Sequence, residues 1–157
     1  AHPPQAEKKL VKEINKKERK LAIKMGIAAS ADIKRVSMFH AINGIKELPI
    51  VIEDSAVMVK KTKEAKNLFS SIGLNAELER IMKKTIRSGK GKLRGRKYKK
   101  KLGIVLVVKD DEKVSSAFSN LNIKVTNPSS LSMTDVSQAG KPGRLIIWTK
   151  GAVENLR

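Results

Sequence analysis

The 157 residues suffice for one compact domain; 40% are hydrophobic but only 3% aromatic, so its core must come from Ile, Val, Leu, Met and Ala. With 34 Lys plus Arg against 15 Asp plus Glu, the formal net charge is +19, a self-repelling balance that favours a polyanionic partner, above all nucleic acid. The absence of cysteine excludes disulfide scaffolds, thiolate zinc sites and cysteine nucleophiles, and no apolar run approaches the roughly 20 residues of a bilayer span.

In chain order, His2, Pro3 and Pro4 begin an extended leading segment over residues 1–14, with no apolar stretch resembling a signal peptide. Residues 15–157 are expected to form a single α/β domain. Asn15 followed by Glu18 predicts a helix start, and Leu21, Ala22, Met25, Ala28 and Ala29 form an apolar stripe at helical spacing, surrounded by Lys16, Lys17, Arg19, Lys20 and Lys24. A short second helix from Asp32 to Phe39, capped by Asp32, is expected next. Pro49 introduces Ile50-Val51-Ile52, read as a buried strand ended by Glu53 and Asp54.

Two helices follow. The first places Ala65, Leu68, Phe69 and Ile72 on one face and stops at Gly73. The second carries Leu78, Ile81, Met82 and Ile86 and ends before Gly89. Ile104–Val108 is apolar throughout, as expected of a central strand in a parallel sheet. Asp110 or Asp111 is then expected to cap a helix bearing Val114, Ala117, Phe118 and Leu121. Ile123-Lys124-Val125 and Leu145–Trp148 read as strands, and Lys150 to Leu156 as a terminal helix. Strands alternating with helices predict βαβ units and an α/β sandwich with a short, mostly parallel sheet flanked by helices.

One segment breaks the pattern. No acidic residue occurs between Arg80 and Lys109, and this stretch holds Lys83, Lys84, Arg87, Lys90, Lys92, Arg94, Arg96, Lys97, Lys99, Lys100 and Lys101, interleaved with Gly89, Gly91 and Gly95. Glycines let a backbone approach phosphates, arginines bind them as planar forks, and lysines act as mobile point charges. A basic RNA-binding loop over about residues 87–101 is therefore expected, with Lys83 and Lys84 at its start. Tyr98, the only tyrosine, is suited either to stacking on an unpaired base or to plain packing. A solvated, disordered linker or a nuclear-import signal is the alternative, but the run lies inside the domain between a helix and the central strand rather than at a tail. Lys16, Lys17, Arg19 and Lys20 on the first helix form a second candidate contact; Lys60, Lys61 and the turn from Gly140 to Arg144 are weaker ones.

Catalytic constellations are missing. Gly89, Gly91 and Gly95 are spaced one residue too long for a dinucleotide fingerprint, and they precede a strand instead of following one. His2 and His40 have no carboxylate at metal-ligand spacing, and His40 reads as a surface or helix-end residue. Asp110, Asp111 and Glu112 follow the central strand, but helix capping accounts for them; Ser115, Ser116 and Ser119 have no base nearby in sequence and read as structural. No enzyme activity, cofactor, metal, membrane or small-molecule substrate is expected.

Several stretches resemble the archaeal and eukaryotic large-subunit ribosomal protein L-four family: His2-Pro-Pro4, Asn15–Arg19, Pro49–Glu53, Lys61–Glu64, Gly140–Thr149 and above all Ile86–Lys100. The resemblance runs through nearly the whole chain in the family's order. It implies a Rossmann-like α/β domain embedded in large-subunit ribosomal RNA beside neighbouring ribosomal proteins, in the cytoplasm, as a structural constituent supporting translation. The family's long tunnel-reaching loop and its first strand and helix would precede His2, so the chain resembles the family's C-terminal part. The competing expectation is an RNA-binding regulator or an RNA-modifying enzyme on a Rossmann-like scaffold.

Overall fold

A computed structural model of the chain describes residues 2–109, 114 and 116–156. The expected cap at Asp110 or Asp111, together with Glu112 and Ser115, lies outside the described residues.

Four strands form a fully parallel sheet: β1 (Ile50–Ile52), β4 (Val105–Val107), β5 (Lys124–Thr126) and β8 (Ile146–Thr149), in the order β1-β8-β4-β5. The two central strands, β4 and β8, are buried at every position. Each is apolar on both faces because helices cover both sides. On one side, α3 (Thr62–Ser71), α4 (Asn75–Met82) and α5 (Ala117–Asn120) meet Leu106 and Ile147 through Ala65, Phe69, Leu78, Ile81 and Phe118. Phe69 and Phe118 pack edge to face with ring centroids 6.0 Å apart, joining α3 to α5. On the other side, α1 (Lys16–Ser30), α6 (Met133–Val136) and α7 (Lys150–Glu154) cover Val105, Val107, Ile146 and Trp148. The expected α/β sandwich is the observed architecture.

The N-caps follow the polar residues read from the sequence. Asn15 accepts from the Lys17 amide at the start of α1, and Asp32 accepts from the Lys34 amide at the start of α2 (Ile33–Ser37). Three expectations are corrected. In α1 the packed face is Ile23, Gly26, Ile27, Ala29 and Ser30, while Leu21 and Met25 are exposed. The reason is Gly26: a Cβ there would overlap the Val136 side chain, so α1 approaches α6 along its smallest residue rather than its largest. The Ile50–Ile52 strand forms as expected but is not buried; β1 is a sheet edge, and Val51 is exposed.

The third correction concerns the helix expected to run to Ile86. α4 ends at Met82, Lys83 adopts an extended conformation, and Thr85–Ile86 form strand β2. This strand pairs antiparallel with β3 (Tyr98–Lys99) in a separate two-stranded ribbon. Both Thr85 and Ile86 are β-branched, and pairing Ile86 with Tyr98 offers a cross-strand contact that a further helical turn would forgo. A second small ribbon joins β6 (Ser137–Gln138) to β7 (Lys141–Pro142) through Ala139 and Gly140, both at positive φ. Among the described residues, no helix is long and apolar enough to cross a membrane.

Candidate nucleic-acid interface

The acid-free segment folds as a protruding hairpin rooted between the end of α4 and the start of β4. Its stem is the β2–β3 ribbon, extended by the Arg87 amide donating to the Lys97 carbonyl at 2.9 Å and by Arg87 Nε donating to the Arg96 carbonyl at 3.3 Å. The tip turns through a single 3-10 turn, Lys90–Lys92, and closes where the Arg94 and Arg96 amides both donate to the Gly91 carbonyl at 3.2 Å. Gly89 enters that turn at φ 74° and ψ −173°, a combination essentially reserved for glycine.

Lys83, Lys84, Arg87, Lys90, Lys92, Arg94, Arg96, Lys97, Tyr98, Lys99, Lys100 and Lys101 are all exposed. Among the described residues, none of these cations forms an ion pair with a carboxylate. Strand alternation sorts the stem into two faces: Thr85 and Lys99 pair on one, Ile86 and Tyr98 on the other. Tyr98 is half-exposed, and the Lys97 ammonium lies 5.6 Å from its ring centroid. Like charges therefore crowd a narrow ribbon that has an apolar-aromatic side and no internal neutralisation.

The second candidate group, Lys16, Lys17, Arg19 and Lys20, is exposed on the first turns of α1. The structure does not merge it with the hairpin in one layer, since α1 packs on the opposite side of the sheet from α4.

Beneath the hairpin lies a buried charge network that the sequence did not disclose. Glu77 on α4 has no side-chain exposure. It accepts from Arg80 Nε at 2.7 Å, from Arg80 Nη2 at 2.6 Å and from the Ala41 amide at 2.8 Å, with His40 Nδ1 at 2.6 Å. Burial pushes its carboxyl up, but hydrogen bonds from Arg80 and His40 outweigh burial and hold it at about 2, against 4.5 ordinarily. His40 sits just past α2, yet it is buried and not at the surface, which corrects the reading from sequence. Arg80 Nη2 also donates to the Leu102 carbonyl at 2.8 Å. One guanidinium thus links both roots of the hairpin, the end of α4 and the approach to β4.

Arg144 is also buried, contrary to the surface contact considered for its turn. Its Nε donates to the Gly103 carbonyl at 3.1 Å and Nη1 to the Thr134 carbonyl at 3.0 Å. Burial lowers its pKa from the ordinary value, with nearby Asp135 opposing the shift. Asp135 is itself paired with Lys124 and accepts from Ser132 Oγ at 2.7 Å. Its carboxyl is held below the usual value: burial raises it, but these hydrogen bonds prevail.

The sequence profile of the Ribosomal protein L4/L1 family matches residues 1–157. The chain is 42% identical over 161 residues to a protein of Pyrobaculum aerophilum named large ribosomal subunit protein uL4, covering 100% of the chain and 57% of that relative. Likewise named proteins of Archaeoglobus fulgidus and Sulfurisphaera tokodaii are 41% and 40% identical. These alignments cover 99% and 100% of the chain and 62% and 60% of those relatives. The chain therefore spans about three-fifths of the length of the curated relatives it matches.

Proposed function

Because the chain belongs to the ribosomal protein L4/L1 family, we propose that it is a structural constituent of the large ribosomal subunit that binds large-subunit ribosomal RNA through the β2–β3 hairpin. The observation that carries this reading is the hairpin's charge: a glycine-shaped ribbon of Lys and Arg with no carboxylate partner among the described residues. A protein surface of that density reaches low energy only when phosphates lie between its cations. Arg87, Lys90, Lys92, Arg94, Arg96 and Lys97 are its phosphate contacts, with Lys83, Lys84, Lys99, Lys100 and Lys101 extending the track toward the root. Tyr98 stacks on an exposed base. Lys16, Lys17, Arg19 and Lys20 make a separate contact from the opposite layer, as expected of a domain wedged between RNA helices. The role is non-catalytic, in the cytoplasm, beside other large-subunit proteins.

The test is RNA binding by the full chain carrying Arg94→Glu and Arg96→Glu. Affinity for an archaeal large-subunit ribosomal RNA transcript is expected to fall at least about a hundredfold, while circular dichroism and thermal melting stay unchanged. The wild-type affinity should also decline steeply with salt, by about one unit of log–log slope per phosphate contacted. Unchanged affinity of the double variant at physiological salt would refute the assignment.

A further inference from the structure

A cavity of about 440 Å³ opens at the foot of the hairpin, at the edge where the parallel strands begin. Its wall brings together four cations, Lys100, Lys101, Lys124 and Arg144, and one carboxylate, Asp135. Asp135 is already paired with Lys124, so the excess positive charge faces the hollow. Arg144 is buried, and its guanidinium is fixed in its plane by the Gly103 and Thr134 carbonyls, while Nη2 has no acceptor among the described residues. Fixed and partly desolvated, such a fork binds a phosphate oxygen at less entropic cost than a surface lysine. Leu102, about half exposed, adds apolar surface, and Ser119 is exposed at the wall. This volume falls in the range of clefts that hold small organic ligands.

The hollow is also continuous with the RNA track. Lys100 and Lys101 belong to both, and Asn122 Nδ2 donates to the Lys101 carbonyl at 3.2 Å, fixing the backbone where the hairpin enters the cavity wall. We propose that this cavity receives a single unpaired nucleotide of the RNA strand that follows the hairpin, with Arg144 and Lys101 on its phosphate and Leu102 against its base. Unstacked nucleotides are the part of an RNA that a protein reads by enclosure, whereas paired segments offer mainly backbone. The inference rests on the RNA-binding reading above, and it adds enclosure of one nucleotide to the hairpin's recognition of charge, shape and a stacked base.

The experiment uses the full chain and the same archaeal large-subunit ribosomal RNA transcript, with Ser119→Tyr filling the rim without altering charge. Binding and chemical probing of backbone flexibility are measured together, with thermal melting as the check on folding. Ser119→Tyr is expected to weaken binding about tenfold. It should also erase the protection of one isolated nucleotide and leave the hairpin footprint in place. Lys101→Gln, at an exposed position outside the core, provides a second variant and should reduce the same protection. Wild-type affinity and an intact footprint in both variants would overturn the cavity proposal while leaving the hairpin reading standing. Failure of the unmodified chain to bind the transcript would instead remove the reading on which it rests. A third arm adds adenosine monophosphate or inorganic phosphate without RNA. Stabilisation of the wild type but not of Ser119→Tyr would assign the cavity to a free nucleotide or phosphate and overturn the strand assignment.

Discussion

Glu77 is the residue on which the hairpin's root depends, and its chemistry predicts an acid-labile fold. A buried carboxylate is tolerated only because Arg80, His40 and the Ala41 amide meet its charge. Its folded pKa of about 2 lies below the ordinary 4.5, so the stabilisation is complete above the ordinary value and is lost as pH falls through the folded one. The difference corresponds to roughly 3 kcal/mol between about pH 5 and pH 2. Denaturant titrations across that window should show the loss in the wild type and a much flatter profile in Glu77→Gln. The variant itself should be weaker by about 2–4 kcal/mol near neutrality, because it leaves the partly buried Arg80 guanidinium without its counter-charge. An equal acid slope in both proteins would dismiss Glu77 as the cause. None of this was legible in the sequence. Glu77 and Arg80 stand three apart on a helix, a spacing that ordinarily marks a solvated pair, and His40 arrives from 37 residues upstream. Arg144 was similarly concealed, because a Gly-Lys-Pro-Gly turn gives no sign that the following arginine turns inward. The exposed cations of residues 83–101, by contrast, were evident from composition alone.

At the scale of elements, legibility followed length and burial. The central strands announced themselves as continuous apolar runs, and the structure shifts their ends by about a residue, as such boundaries generally do. The stripe on α1 misled because the apolar period was real but the contact was chosen by the smallest side chain, Gly26. The two-residue strand β2 is too short to show alternation, so its Ile86 was absorbed into the helical period of α4. The hairpin stands on its own hydrogen bonds and outside the core, which separates its integrity from that of the domain. Gly89→Ala should therefore disturb the tip at a local cost of about 1–3 kcal/mol while leaving global stability within about 0.5 kcal/mol. RNA affinity should fall in the same variant. Filter binding and urea unfolding, measured side by side, would expose a shared loss and thereby refute the independence of the two units.

For the whole molecule the governing quantity is the net charge of +19. Without RNA that charge repels itself across a small surface, so screening should stabilise the isolated chain. Raising potassium chloride from about 0.05 to about 0.5 M is expected to lift the melting temperature by a few degrees. RNA affinity should decline over the same range, because the salt that relieves the free chain also competes for the phosphates. A melting temperature indifferent to salt would mean that the cations are spaced widely enough for water alone to screen them.

The guanidinium that spans the hairpin's two roots has a mechanical meaning. Arg80 grips Glu77 on α4 and the Leu102 carbonyl on the segment leading into β4, so both legs of the projection are clamped to the same anchor. A boom braced at both feet surrenders little freedom when it meets its target, and the saved entropy appears as tighter docking. How rigidly this protein reaches outward is thus decided several ångströms inside it, by whether one acid keeps its proton off.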